Sequence, residues 1–460
     1  MSVSATPVSR PKDRDAFAST LGAFAATVGS AIGLGNIWKF PYLAGSNGGA
    51  AFVLTYLLSV AFVGIPIMVV EHVIGRRTRL NAVQAYGSII PRQKFWSGIG
   101  WAGIVAAFLI MAFYTDVAGW VFAYVFKSLA AFVSGSALTP ATFGALASGT
   151  WEPLFWQIFV LVVTTAIIAA GVSQGIERVT KTLMPLLFIL LVICDIRALT
   201  LHGASAGVVY LFKPDLSKLT GAVLLSALGL AFFKLSLGMG TMTTYGSYLP
   251  DQTRIVPNAT RVALADTAVS LLAGLAIFPA VFAFGGTPAG GPGLLFNTIP
   301  LIFSKMPLGG LFTVLFFILT AIATIGAMVS LIEVPVAWIV EKGHMKRPVA
   351  AVITGSLMFL LGILATLSQS PVLADVKVFG KNFFDLFDFV SSNVLLPIGG
   401  LAIAVVGGWL LSKKAFTDEM NKGYAAEPWH GRIILAFIKY LSPVLILLIL
   451  LNSLGVIKLT

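Results

Sequence analysis

The stretch Gly29-Ser30-Ala31-Ile32-Gly33-Leu34-Gly35-Asn36-Ile37-Trp38-Lys39-Phe40-Pro41 constrains this chain more than any other. It lies within a long apolar run, where a continuous helix is expected. Gly33 and Gly35 each weaken a helix by about 1 kcal/mol relative to Ala, and Pro41 withholds a backbone donor. At bilayer depth, backbone that leaves the helix is tolerated only where it is buried in protein or lines a cavity. A helix broken so that bare carbonyls and amides face a ligand is a construction of secondary transporters.

The bilayer is implied by composition. Mean hydropathy is +0.95, 58% of residues are hydrophobic and only 10% are charged. Apolar runs long enough to cross a ~30 Å hydrocarbon core fall near 18–42, 48–74, 98–131, 153–171, 177–200, 220–249, 259–285, 308–340, 349–368, 381–411 and 433–456. The expected fold is therefore an all-α integral membrane protein of about 11 transmembrane helices in one domain spanning 1–460.

The net charge of +12 is dispersed over loops and is not a nucleic-acid footprint. With the N-terminus inside, the cytoplasmic loops hold Arg76, Arg77, Arg79, Arg178, Lys181, Lys342, Lys346, Arg347, Lys413 and Lys414, among others. The opposite loops hold fewer, such as Lys127, Arg197, Lys213 and Lys218. That bias predicts a cytoplasmic N-terminus and, with an odd helix count, an external C-terminus in the plasma (inner) membrane. Cys194 is the single cysteine, which excludes an intrachain disulfide and a cysteine metal cluster. No nucleophile–base pair, metal motif or phosphate loop is present, so no catalytic residue, metal ligand or cofactor is assigned.

A second break, Phe233-Lys234-Leu235-Ser236-Leu237-Gly238-Met239-Gly240, interrupts the sixth run. Paired breaks at corresponding positions point to an inverted repeat with its site at the midplane. Repeat one is expected over about 18–200 and repeat two over about 220–411, with an extra helix at about 433–456. The Gly- and Pro-rich loop near 286–307 is expected to pack over the outer mouth. Gly175 and Pro185 leave open whether the fifth run unwinds at its start or is merely kinked.

These residues resemble the neurotransmitter:sodium symporter family in its eleven-helix bacterial amino-acid branch. The likeness covers nearly the whole chain. It rests on Gly33 to Pro41, Asn47-Gly48-Gly49-Ala50-Ala51-Phe52, Gly64-Ile65-Pro66 with Glu71, Gly175-Ile176-Glu177-Arg178, Lys213-Pro214-Asp215, Ser236-Leu237-Gly238 with Gly240 and Tyr245-Gly246-Ser247-Tyr248, and Phe384-Asp385 with Asp388-Phe389. It implies the leucine-transporter fold, a 5+5 inverted repeat plus one helix. It also implies transport of amino acids or their derivatives by alternating access, usually driven by sodium. The family binds a carboxylate at the amides around Gly35 and at the Tyr114 hydroxyl, and an amine at carbonyls near Ala31 and Phe233 and at the Ser236 hydroxyl. Gly33 stands where amine carriers have an aspartate, so the substrate is expected to bring its own carboxylate. Ile110, Phe233, Met239 and Leu331, with Ala327, would line a pocket for an apolar side chain. Lys39 and Asp388 would close the outer side, and Arg14 and Glu341, near Tyr248, the cytoplasmic side.

The chain departs from the family at both sodium sites. The first implies Ala31, Asn36, a helix 6 hydroxyl and a helix 7 Asn, but Lys234 and Asp266 hold the last two positions. An intramembrane charge is costly unless paired. Pairing is therefore expected, with the Lys234 ammonium in place of sodium beside the substrate carboxylate. The second site implies two adjacent hydroxyls where Gly326 and Ala327 stand, leaving carbonyls of Gly29, Ile32 and Ala323. Hard cations need more oxygen than that. Ser270 matches a chloride contact of some relatives, but Leu230 replaces the glutamine used there and Asp266 would repel an anion, so chloride is not expected. The residues thus point to a secondary transporter of a neutral, apolar α-amino acid, sodium-independent or proton-coupled. Two alternatives stand beside it: an ordinary sodium symporter, and an amino-acid sensor that does not turn over. The expected partners are the amino acid and the lipid bilayer.

Overall fold

The computed structural model describes residues 15–90, 93–287, 291–424 and 430–457. Its bundle consists of α1 (Thr20–Ala31 and Gly35–Ser46, bent by 48°), α2 (Ala50–Thr78), α3 (Lys94–Ser134), α4 (Trp151–Ala169), α5 (Val172–Leu199), α6 (Gly221–Lys234 and Thr241–Tyr248), α7 (Ile255–Ala283), α8 (Gly309–Gly343), α9 (Arg347–Leu367), α10 (Phe383–Leu410) and α11 (His430–Ser453). By length and apolarity nine of these described helices can each cross a membrane, and bent α1 makes ten. The eleventh crossing is α6, whose two halves are individually too short and span only as a broken pair.

The breaks in α1 and α6 lie against each other at the centre. Between the halves of α6 the chain reverses through Ser236, Gly238 and Gly240, with φ of 53°, 78° and 78°. An L side chain seldom takes that conformation, and glycine takes it freely. The second half of α6 begins with backbone donors that have no helical partner. Glu71 on α2 supplies one: its carboxylate accepts from Gly238 N at 2.8 Å and Thr243 N at 3.1 Å. A buried acid in α2 thus holds the break of α6 in shape. The start of α5 is a wide π-helical turn over Val172–Glu177, and Pro185 lies inside the helix without ending it.

One end of the bundle, the N-terminal face, is tied by buried charge. At the end of α2, Arg76 Nε donates to Glu419 Oε2 at 2.9 Å, and both side chains are fully buried. Glu419 belongs to the short helix Lys413–Asn421 that joins α10 to α11. Arg76 also donates to the Thr253 carbonyl, and Arg79 donates to the carbonyls of Ser247 and Leu249 that end α6. The three elements are therefore held as one block.

Candidate substrate and ion site

A cavity of about 30 Å³ lies where the two breaks meet. It is lined by Ala31, Gly33, Gly35, Ile110, Tyr114, Phe233, Lys234, Ser236, Met239, Ala327 and Leu331, joined by Ser30. The apolar side chains come from α3, α6 and α8 and face the polar backbone of α1. Tyr114 Oη accepts from Leu34 N at 3.0 Å, so the phenol already sits at the amides of the α1 break. Ser236 Oγ donates to the Ser30 carbonyl at 3.0 Å and accepts from Ser30 Oγ at 3.2 Å, so the hydroxyl is tied to α1 at the wall of the cavity. A Cβ at Gly33 would stand 2.8 Å from Tyr114 Oη, so an acidic side chain there has no room beside the tyrosine. Tyr114→Phe is expected to weaken amino-acid binding by about 1.5–3 kcal/mol, the value of a hydrogen bond to a charged group. Calorimetry on the purified variant checks this, and unchanged affinity would place the carboxylate elsewhere.

Directly behind the cavity, Lys234 Nζ lies 3.1 Å from Asp266 Oδ2, with both side chains fully buried. The pair is embedded in further bonds. Lys234 donates to Tyr56 Oη at 2.8 Å and to Ser270 Oγ. Tyr56 Oη donates to Asp266 Oδ2 at 2.7 Å, and Asn36 Nδ2 donates to Asp266 Oδ1 at 2.7 Å. Asn36 Oδ1 accepts from Gly33 N at 3.1 Å, which links the ion pair to the α1 break. The ammonium of Lys234 is thus surrounded by the oxygens of Tyr56, Ser270 and Asp266.

At the second position, where the resemblance implied two hydroxyls, α8 and α1 are in close backbone contact. A Cβ at Gly326 would fall 2.3 Å from the Gly29 carbonyl oxygen, so α8 packs on α1 without room for a side chain. Thr324, the nearest alternative hydroxyl, donates to the carbonyl of Ala321 in its own helix. Ile32 and Ala323 are buried.

On the face opposite the N-terminal one, a wider chamber of about 350 Å³ opens above the cavity. Trp38, Phe113, Trp120, Phe143, Phe296 and Phe384 line it, and Phe296 and Gly293 bring the Gly-rich loop to its rim. Lys39 Nζ and Asp388 Oδ1 stand 3.5 Å apart at its edge, half-exposed, with the ammonium 4.3 Å over the Phe233 ring.

The N-terminal face is sealed by a network of buried charges. Arg14 lies outside the described residues. Glu341 accepts from Asn81 N at 2.9 Å and Asn81 Nδ2 at 2.8 Å, in the loop after α2. Tyr248 Oη donates to Glu333 Oε1 at 2.6 Å, which places this tyrosine on an acid farther inside α8 than Glu341. Arg347, the first residue of α9, pairs with the other oxygen of Glu333 and with Asp15 at 2.9 Å. Its Nε donates to the Ile168 carbonyl at 2.8 Å. Glu177 holds Ala18 N at 2.7 Å, and Phe17 packs edge-on against Tyr245 and Tyr248. Burial accounts for the Glu333–Arg347 pairing: Glu333 has no exposure, and a buried carboxylate without a cation is far costlier than one at the rim. Sequence reasoning missed this role for Glu333 and Arg347, and missed Tyr56. The available signal was an acid in the middle of an apolar helix.

The chain matches the Sodium:neurotransmitter symporter family over residues 14–137 and 148–459. It is 42% identical over 446 residues to the uncharacterized sodium-dependent transporter YhdH of Bacillus subtilis, covering 96% of this chain and 98% of that protein. It is 32% identical to the uncharacterized sodium-dependent transporter MJ1319 of Methanocaldococcus jannaschii, covering 89% of this chain and 85% of the other. The crystal structure of MhsT in complex with L-phenylalanine superposes with a TM-score of 0.88 at 42% identity, covering 96% of this chain and all of that one. Broken α1 and α6, the cavity between them and these likenesses together make the chain a multi-pass membrane transporter of the sodium:neurotransmitter symporter family.

Proposed function

We propose that this protein carries a neutral, apolar α-amino acid by alternating access, with its N-terminus in the cytoplasm, and that Lys234 takes the part of a coupling cation. The buried Lys234–Asp266 pair carries the reading. A fixed ammonium beside the α1 amides attracts a carboxylate without an imported ion. Asp266 neutralises the ammonium when the site is empty, so the bilayer interior never holds a lone charge. Gly326 against the Gly29 carbonyl argues against the second sodium site as well. Tyr56 and Ser270 are engaged with Lys234, and Asp266 repels anions, which argues against chloride. The substrate class is supported by Ile110, Met239 and Leu331 along the cavity and by the L-phenylalanine bound to MhsT. The N-in orientation follows from the basic loops. With sodium absent, the group that can change the charge of this site is a proton on Lys234 or Asp266, which makes proton coupling or plain exchange the transport mode.

The relatives named sodium-dependent favour ordinary sodium symport as the second reading. Binding of labelled amino acids to purified protein, in sodium and in choline, separates the two. The expected result is equal affinity in both. Absence of binding in choline, with a sigmoidal sodium response, would return the chain to sodium symport. Uptake into proteoliposomes with pH and sodium gradients set independently then identifies the driving ion.

A further inference from the structure

We propose that the groove between α4 and α9 holds one acyl chain of an anionic phospholipid from the cytoplasmic leaflet, with its headgroup against Lys342 and Lys346. The groove has a volume of about 550 Å³, larger than the substrate vestibule, and opens on the lipid-facing side of the bundle. Small residues make its floor. Gly355 approaches α4 so closely that a Cβ would lie 2.5 Å from Thr165 Oγ1, and Ala166 and Ala169 add no bulk. Val162 and Leu360 form its exposed apolar walls, at 61% and 60% exposure.

Length and charge select the occupant. From Ile158 to Ala169 the groove follows α4 for about 16 Å at 1.5 Å per residue, which is half of a ~30 Å hydrocarbon core. Beyond Ile158 the surface turns bulky, with Phe155 and Trp151 projecting. A transmembrane helix of a second copy would need a track the full depth of the core, whereas a single-leaflet chain fits this one. At the end of the groove, the link from α8 to α9 exposes Lys342, His344 and Lys346 beside the exposed apolar Met345 and Val349. Lysines among apolar side chains at a helix end snorkel to headgroup level and attract anionic lipid.

The site also has a route to transport. Ile168, whose carbonyl accepts from Arg347, adjoins Ala169 in the groove. The same guanidinium seals the N-terminal face through Glu333 and Asp15. A chain seated between α4 and α9 fixes the spacing across which Arg347 reaches Ile168, and so favours the sealed state.

The assignment to the cytoplasmic leaflet rests on the proposed N-in orientation. Lys346→Cys in a Cys194→Ala background tests that orientation separately, by labelling of intact cells and of inside-out vesicles with an impermeant maleimide. The groove itself is tested by native mass spectrometry of the protein released from micelles doped with phosphatidylglycerol or phosphatidylcholine. The unmodified protein is expected to retain one phosphatidylglycerol in preference to phosphatidylcholine. Lys342→Gln with Lys346→Gln should lose that preference, and Ser356→Trp, which fills the groove, should lose the bound lipid of either kind. Amino-acid binding reports that each variant is folded. Equal lipid retention by Ser356→Trp and the unmodified protein overturns the proposal. So does a dimer that Ser356→Trp dissociates, which would make a second copy the occupant.

Discussion

Lys234→Thr is expected to abolish amino-acid uptake, and adding Asp266→Asn to restore part of it in a sodium-dependent form. The single change removes the only ion-pair partner of Asp266 among the described residues and leaves that carboxylate fully buried. Such a broken pair costs about 3–5 kcal/mol, a factor of roughly 150 to 5,000 in any equilibrium that needs the site intact. Tyr56 and Asn36 still donate to Asp266, but they cannot neutralise it. The double change replaces both charges by neutral oxygen donors beside Asn36 and Ser270, a set a sodium ion can use. Recovery stays partial because Gly326 still closes the second position on Gly29. Radiolabelled uptake with and without sodium reads both variants. Uptake by Lys234→Thr at the unmodified level would show that the ion pair has no part in binding.

The second large effect is at the seal. Arg347→Ala strips Glu333 of its cation and frees Asp15 and the Ile168 carbonyl, while Tyr248 remains as a neutral donor. A loss of about 3–5 kcal/mol in the sealed state moves a two-state equilibrium far toward opening on the N-terminal face. Ser330, buried between the cavity and Glu333, is a suitable reporter. In a Cys194→Ala background, maleimide labelling of Ser330→Cys from that side should rise steeply with Arg347→Ala. It should fall back when Glu333→Gln removes the stranded charge. Labelling that Arg347→Ala leaves unchanged would show that the seal lies elsewhere.

Much of this was legible in the sequence, for physical reasons that can be named residue by residue. Each crossing needs about 20 apolar residues, so the runs announced the bundle, and the glycines around 33 and 238 announced the two breaks. Lys234 and Asp266 were readable as partners because neither charge is affordable alone at that depth, and the structure puts them 3.1 Å apart. Tyr56 was not readable, because a phenol in an apolar run looks the same whether it packs or donates. Glu333 and Glu341 sit on one long helix, and spacing alone does not say which one an arginine from α9 will reach. Gly326 was legible as a missing hydroxyl. Its contact with the Gly29 carbonyl depends on how closely two helices from distant parts of the chain approach.

The block of α2, α6 and the helix Lys413–Asn421 sets a limit on the stroke of the transporter. If Arg76 and Glu419 stay paired, the second half of α6 cannot swing outward unless that helix travels with it. The helix is moored to the end of α10 at Leu410 by Leu411 and Ser412 alone. From Leu410 to Lys413 is three residue steps, which reach at most about 11 Å when fully extended. Breaking the buried pair to gain more slack would cost about 3–5 kcal/mol. In the proposed alternating-access cycle, the amplitude with which the N-terminal face opens is therefore metered by a two-residue tether outside the cavity lining, and lengthening that tether is a way to change how far the protein opens without touching what it binds.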